Sequence, residues 1–248
     1  MLLESELMPF SVSPPIGENV LVLAPHPDDE TLGCGGTIRL LVEAGKKVKT
    51  IFLTSGDKAE EAGNHREYSL MREKEAEKAL GVLGVADYDF FRFPDRELSD
   101  NYDAVHDRIG QAMNILMPDA VYCPSMLELN PDHRTSAEIL LDMQRSLSTR
   151  EKGAESIKVL LYEVTTPIRP NVLVDISSTF RYKKRAVKKY RSQLRLIDYL
   201  QYATALNTFR SLTVDGPRFV EAFWMLSMPL QDDALQEWMS YRRPLEDA

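Results

Sequence analysis

The chain predicts an α/β fold, a doubly wound and mainly parallel sheet with helices on both faces. Two observations carry that expectation. Short apolar runs alternate with stretches of helical period from residue 19 onward, and the single helices between them are what parallel βαβ crossovers require. The first apolar run also passes directly into a cluster of ligand-type side chains, as chains do at the carboxyl edge of such a sheet.

Taken in order, Asn19–Ala24 reads as a buried strand and Gly35–Ala44 as a helix ended by Gly45. Val48–Thr54 is a second strand. His65–Leu83 is a helix with apolar or small residues at 70, 71, 76, 79, 80 and 83. Tyr88–Phe93 is a strand closed by Pro94, and Tyr102–Met117 a helix stopped by Pro118. Ala120–Cys123 is the fourth strand, Asp132–Leu147 a helix, and Ile157–Glu163 and Val172–Ile176 are further strands. From Phe180 onward the pattern reads as long helices covering one face. Residues 1–248 are expected to form a single domain, with loose ends at 1–16 and 241–248.

The 248 residues are 44% apolar and 27% charged, the composition of a globular protein with a large core. No window holds 18 consecutive apolar residues, so no transmembrane segment is expected. Residues 1–15 carry Glu4 and Glu6 and lack the basic and apolar regions of a secretory signal. With only Cys34 and Cys123, free thiols in a cytoplasmic setting are the expectation. A net charge of −8 argues against a nucleic-acid partner. Eight of the 30 basic residues fall between Ser177 and Ile197 with no acid among them. Tyr182, Ala186, Tyr190, Leu194 and Ile197 recur there at helical spacing, so this run reads as one helix, 181–197, with a packed face and a solvated basic face. Such a face could also meet a membrane or the phosphates of a linked sugar.

Two constellations carry chemistry. Pro25-His26-Pro27-Asp28-Asp29-Glu30 places one imidazole and three carboxylates within five residues at a strand end, a density a structural core has no use for. Imidazole with carboxylate suits a divalent metal such as zinc. Asn130-Pro131-Asp132-His133 opens a helix after the fourth strand. If the strand order is 3-2-1-4-5, the first and fourth strands are neighbours, and His133 reaches the crevice that holds His26 and Asp29. Two imidazoles and a carboxylate leave coordination positions open, as catalytic sites do. His65 and His106 read as surface residues, and Cys34 as a residue able to line the site.

The run from Ala24 to Glu30, followed by Gly33 and Gly35-Gly36, resembles the signature of the LmbE-like (PIG-L) metal-dependent N-deacetylases. Arg72-x-x-Glu75-Ala76, Phe93-Pro94-Asp95, Val174-Asp175-Ile176-Ser177, Ser192-Gln193 and Val220-Glu221-Ala222-Phe223 resemble its weaker blocks. The resemblance implies a Rossmann-like fold and a hydrolase that removes acetyl from N-acetylglucosamine units of glycoconjugates or small glycosides. It implies His26, Asp29 and His133 as ligands of Zn2+ (with another divalent metal such as Fe2+ as an alternative) and Asp28 as general base toward a zinc-bound water. Arg72 and Asp95 become candidates for gripping a small-molecule, lipid-linked or nucleotide-linked amino sugar. One position departs. The family usually places a histidine three residues before the ligand histidine, oriented by the intervening aspartate, here Asp132. This chain has Asn130, whose amide can donate to an oxyanion but cannot supply a proton. Two alternatives stand beside the hydrolase: a non-haem iron enzyme using the same His/Asp/His set, and a non-catalytic sugar-binding relative. A homo-oligomer is left open.

Overall fold

The computed structural model describes residues 11–59, 65–150 and 157–226. Seven strands form one sheet: β1 (Asn19–Ala24), β2 (Lys47–Thr54), β3 (Asp87–Phe93), β4 (Ala120–Pro124), β5 (Lys158–Tyr162), β6 (Val172–Asp175) and β7 (Val220–Leu226). Their order is β3-β2-β1-β4-β5-β7-β6. The first five pair in parallel, while β7 runs antiparallel to both β5 and β6. Between them lie α1 (Asp29–Glu43), α2 (His65–Leu83), α3 (Tyr102–Leu116), α4 (Pro131–Arg150), α5 (Phe180–Val187), α6 (Arg191–Leu194) and α7 (Tyr199–Ser211).

Strand alternation sorts the core into two layers. Val20, Val22 and Ala24 of β1 pack with Ile38 and Leu41 of α1, Ala76, Ala79 and Leu80 of α2, and Ala186 of α5. Leu21 and Leu23 face the other way, toward Val105 and Ile109 of α3 and Ile139 and Leu140 of α4. Helices therefore cover both faces, and strand order reverses between β1 and β4, where Val20 is level with Ala120 and Val22 with Tyr122. Among the described residues no helix is long and apolar enough to cross a membrane.

Three expectations change. The first helix begins at Asp29 rather than residue 35, and it is interrupted at Cys34 (φ −138°). Two of its glycines, Gly33 and Gly36, are packing residues. A Cβ on Gly33 would lie 2.1 Å from Cδ2 of Tyr162, and one on Gly36 would lie 2.7 Å from Cβ of Ile176. The basic stretch 181–197 is not one helix, because it breaks at Tyr190, whose hydroxyl reaches Oε1 of the buried Glu30 at 2.5 Å. Its Arg181, Lys184, Arg185 and Lys188 are exposed, but Lys183 is buried against Glu221 at 2.7 Å. Residues 220–226 form a strand, not a helix. Glu221, named in the sequence only as part of a family-like block, is buried and accepts from Lys183 and from the N–H groups of Gly36 and Thr37. Of the ends expected to be loose, 1–10 and 241–248 lie outside the described residues. Residues 13–16 are tied to the sheet, with Ser13 N–H donating to the Leu173 carbonyl and the Tyr122 hydroxyl donating to that of Ile16.

Candidate metal centre

The loops after β1 and β4 leave the carboxyl edge of the sheet side by side. Pro25–Asp28 turns sharply into α1. Asp28 takes φ +126°, a conformation that L-residues rarely adopt and that costs on the order of 1–3 kcal/mol. On the other side Asn130 caps α4: its side-chain oxygen accepts the Asp132 N–H at 2.9 Å, with Pro131 in the first helical position. His133 is thereby fixed in the first turn of α4, facing β1.

Three atoms converge. Nδ1 of His26 lies 3.2 Å from Oδ2 of Asp29, Nε2 of His133 lies 3.1 Å from the same oxygen, and the two ring nitrogens are 3.2 Å apart. All three residues are buried. The edges of this triangle match a tetrahedral zinc site, where bonds of about 2.0–2.1 Å place ligands roughly 3.3 Å from one another. The donor set, two imidazole nitrogens and one carboxylate, is that of an open site.

His26 belongs to a second group through its other nitrogen. Nε2 lies 3.2 Å from both Oδ2 of Asp132 and Oδ1 of Asp95. Asp132 is held in turn by the N–H groups of Arg96 and Leu98, and Asp95 by that of Lys58. These two carboxylates sit where acceptors of an Nε2–H belong, leaving Nδ1 free to ligate.

The charges are lopsided. Asp28, Asp29, Asp95, Asp132 and Glu128 surround the histidines, with Arg72 as the buried cation beside them. Burial alone would lower the imidazole of His26, but Asp132, Asp29 and Asp95 hold it well above its ordinary value. His133 is likewise raised, to about 9, by Asp29 and Glu128 against the desolvation that would lower it. Burial works to raise Asp29, yet the two imidazoles hold its carboxyl far below the usual range. The raised imidazoles report the anionic groups around them, and the lowered Asp29 reports the positive charge of those imidazoles.

Asp28 stands apart from the converging atoms. Its carboxylate faces Nη2 of Arg72 at 3.2 Å. Burial, with Asp29 beside it, pushes its pKa up to about 7, against the lowering influence of Arg72. Arg72 also donates to the carbonyls of Gly56 at 2.8 Å and Pro27 at 2.5 Å. Arg72, Asp95 and Asn130 all line a cavity of about 200 Å³ with His26, Asp28, Asp29 and His133, so every candidate ligand, catalytic or substrate-gripping residue of the sequence except the buried Asp132 reaches it.

The remaining wall consists of Leu32, Arg96, Val164, Thr165, Gln193 and Tyr199; Gln193 belongs to the family-like Ser192-Gln193 block, and the other five carry no sequence signal. Glu128, the organiser of the Val164–Thr166 segment, was also missed. Its one sequence cue is an acid set between Leu127 and Leu129. Cys34 does not line the cavity: it is buried, with Sγ donating to the Glu30 carbonyl. His65 and His106 lie outside it, beside Asp57 and Asp107.

Comparison with known proteins places this geometry in context. The model of the family described as PIG-L, GlcNAc-PI de-N-acetylase, matches residues 21–144. Diacetylchitobiose deacetylase of Thermococcus kodakarensis is 30% identical over 202 residues, covering 74% of each chain. A probable N-acetyl-alpha-D-glucosaminyl L-malate deacetylase 2 of Bacillus cereus is 28% identical over 184 residues, covering 71% of this chain and 83% of its own. Among solved structures, the N,N'-diacetylchitobiose deacetylase from Pyrococcus horikoshii superposes with a TM-score of 0.73 at 25% identity, covering 88% of this chain and 87% of that one.

Proposed function

The chain belongs to the PIG-L family of de-N-acetylases and is an amide-cleaving hydrolase, and on that premise we propose that it removes acetyl from the N-acetylglucosamine unit of a small glycoside or glycoconjugate, with zinc as its metal. His26 Nδ1, Asp29 Oδ2 and His133 Nε2 would hold the ion. Bound there, it supplies Lewis acidity, which activates water and polarises the amide carbonyl.

The chain's own side chains account for the rest. Asp28 takes the proton of the attacking water and returns it to the departing amine. Its pKa near 7 suits a group that must both accept and donate around neutral pH. Arg72 fixes that carboxylate within the pocket, and the strained backbone at Asp28 keeps it off the ligand triangle. Asp132 and Asp95 hold the His26 ring by Nε2. Asn130 spends its oxygen on the helix cap, so its NH₂ group remains to donate to the oxyanion as it develops.

The observation that carries this proposal is the triangle itself, with a strained and buried aspartate next to it. The diacetylchitobiose and glucosaminyl deacetylases among its relatives support an amino-sugar acetamide as substrate. The test is acetate release from N-acetylglucosamine, N,N'-diacetylchitobiose and a simple N-acetylglucosaminide, measured with added Zn2+ and with chelator. Release that chelator abolishes and Zn2+ restores is expected. A zinc-loaded protein inert toward all three would overturn the reading, and with it the distinction from a sugar-binding relative.

A further inference from the structure

Glu128 is not among the converging ligands, yet its carboxylate is the most heavily committed near them. It is 1% exposed. Oε1 accepts the N–H groups of Val164, Thr165 and Thr166 at 2.7, 3.0 and 3.1 Å, while Oε2 accepts the Thr165 N–H at 3.0 Å and its hydroxyl at 2.5 Å. Consecutive main-chain N–H groups gathered on one anion make a nest, and Val164 and Thr165 are cavity wall.

The same Oε2 lies 3.6 Å from Nδ1 of His133. That nitrogen is buried and has no hydrogen-bond partner among the described residues. With Nε2 offered to an ion, the ring must carry its proton on Nδ1, and a buried N–H needs an acceptor. Glu128 is the carboxylate on that side of the ring, and a small closure brings the two into hydrogen-bond range.

We infer that Glu128 is a positioning residue that sets two parts of the site at once: the orientation of the ligand His133 and the main chain of the Val164–Thr166 wall. The far end of the wall has its own strap. Glu163 accepts the Ile168 N–H at 2.8 Å and pairs with Arg210, which also donates to the Ile168 carbonyl at 2.7 Å. The near end shares its anchor with a ligand, so disturbing that anchor must reach the ion. Disturbing the far strap must not. This rests on the metal-dependent reading of the site, but Zn2+ affinity is read without substrate, so a failure of acetamide hydrolysis in the wild type would count against the reaction and not against this assignment.

The test uses the full chain, stripped with chelator and titrated with Zn2+, in two variants checked for folding by circular dichroism. Glu128→Gln keeps the size and one carbonyl oxygen but turns an NH₂ toward either His133 or the wall. Its Zn2+ dissociation constant is expected to rise about 10–100-fold, and its KM for an N-acetylglucosaminide to rise as well. Arg210→Lys loses the planar fork that clasps Glu163 and loosens only the far strap, so KM should rise while Zn2+ affinity stays at the wild-type value. Should Glu128→Gln not fold, Glu128→Asp, which draws the carboxylate back from His133, is expected to weaken Zn2+ binding in the same direction. Wild-type Zn2+ affinity in a folded Glu128 variant would overturn the inference, and so would an Arg210→Lys variant that loses Zn2+ affinity as much as Glu128→Gln does.

Discussion

Asp28 shows how one residue's surroundings set its chemistry. Its backbone lies at φ +126°, its carboxylate is buried, and the neighbouring Asp29 carries the charge that meets the imidazoles. Burial raises Asp28 to about 7 while Arg72 pulls it back down. A general base works only when ionised, so activity should fall as pH drops through its pKa. Removing the Arg72 charge in Arg72→Gln takes away the influence that lowers that pKa. The acid limb of the kcat/KM profile should therefore move to higher pH. An unchanged acid limb in a folded Arg72→Gln protein would show that Arg72 does not act on the ionising group. Asn130 teaches a different lesson at the same scale, since its oxygen is occupied by the helix cap and only its NH₂ is left for the oxyanion role proposed for it.

At the scale of elements, α1 is the hinge of the site. Its first turn delivers Asp29, and its glycines let it lie directly on β5 and the end of β6. The Tyr162 ring fills the space over Gly33 and is itself anchored, its hydroxyl donating to the Leu23 carbonyl at 2.8 Å. A methyl group at Gly33 cannot be accommodated by swinging that ring without breaking the bond. Gly33→Ala should therefore cost about 1–3 kcal/mol, the usual penalty for overpacking. At ~2–4 °C per kcal/mol for a chain of this size, the melting temperature should fall by several degrees in a thermal scan. A variant melting with the wild type would mean that α1 has room to move. The buried pair Lys183–Glu221 closes the same junction from the other side, and Glu221 gives its remaining capacity to the N–H groups of Gly36 and Thr37. Removing one partner of a pair like this leaves a charge stranded away from water.

Across the whole molecule, most of the fold was legible because its signals are local. The strands β1 to β6 announce themselves as apolar runs, and α2, α3 and α4 by period and punctuation. The parallel sheet follows from alternation, while the order 3-2-1-4-5, only a condition in the sequence, is the one the structure adopts. The cluster of His26, Asp29 and His133 was legible because His26 and Asp29 share one short segment, and because that strand order brings His133 to it. What stayed hidden depends on distant partners. Residues 220–226 fell in the stretch read as helical from Phe180 onward, and Lys183, which pairs with the buried Glu221, lies 38 residues before it, so β7 was missed. Tyr190 looks like one more residue on a helical face until Glu30 draws it inward. Glu128 carries no motif, because its meaning lies in three N–H groups more than thirty residues away.

The central claim is that this topology brings residues 26, 29 and 133 onto one ion while leaving Asp28 free for the proton. Metal content and acetate release, measured together on wild type, Asp28→Asn and His133→Ala, test it most directly. The account predicts one Zn2+ per chain in the wild type and in Asp28→Asn, with turnover at least ~10²-fold lower in the latter, and loss of both ion and turnover in His133→Ala. Full zinc occupancy in His133→Ala, or wild-type turnover in Asp28→Asn, would contradict it.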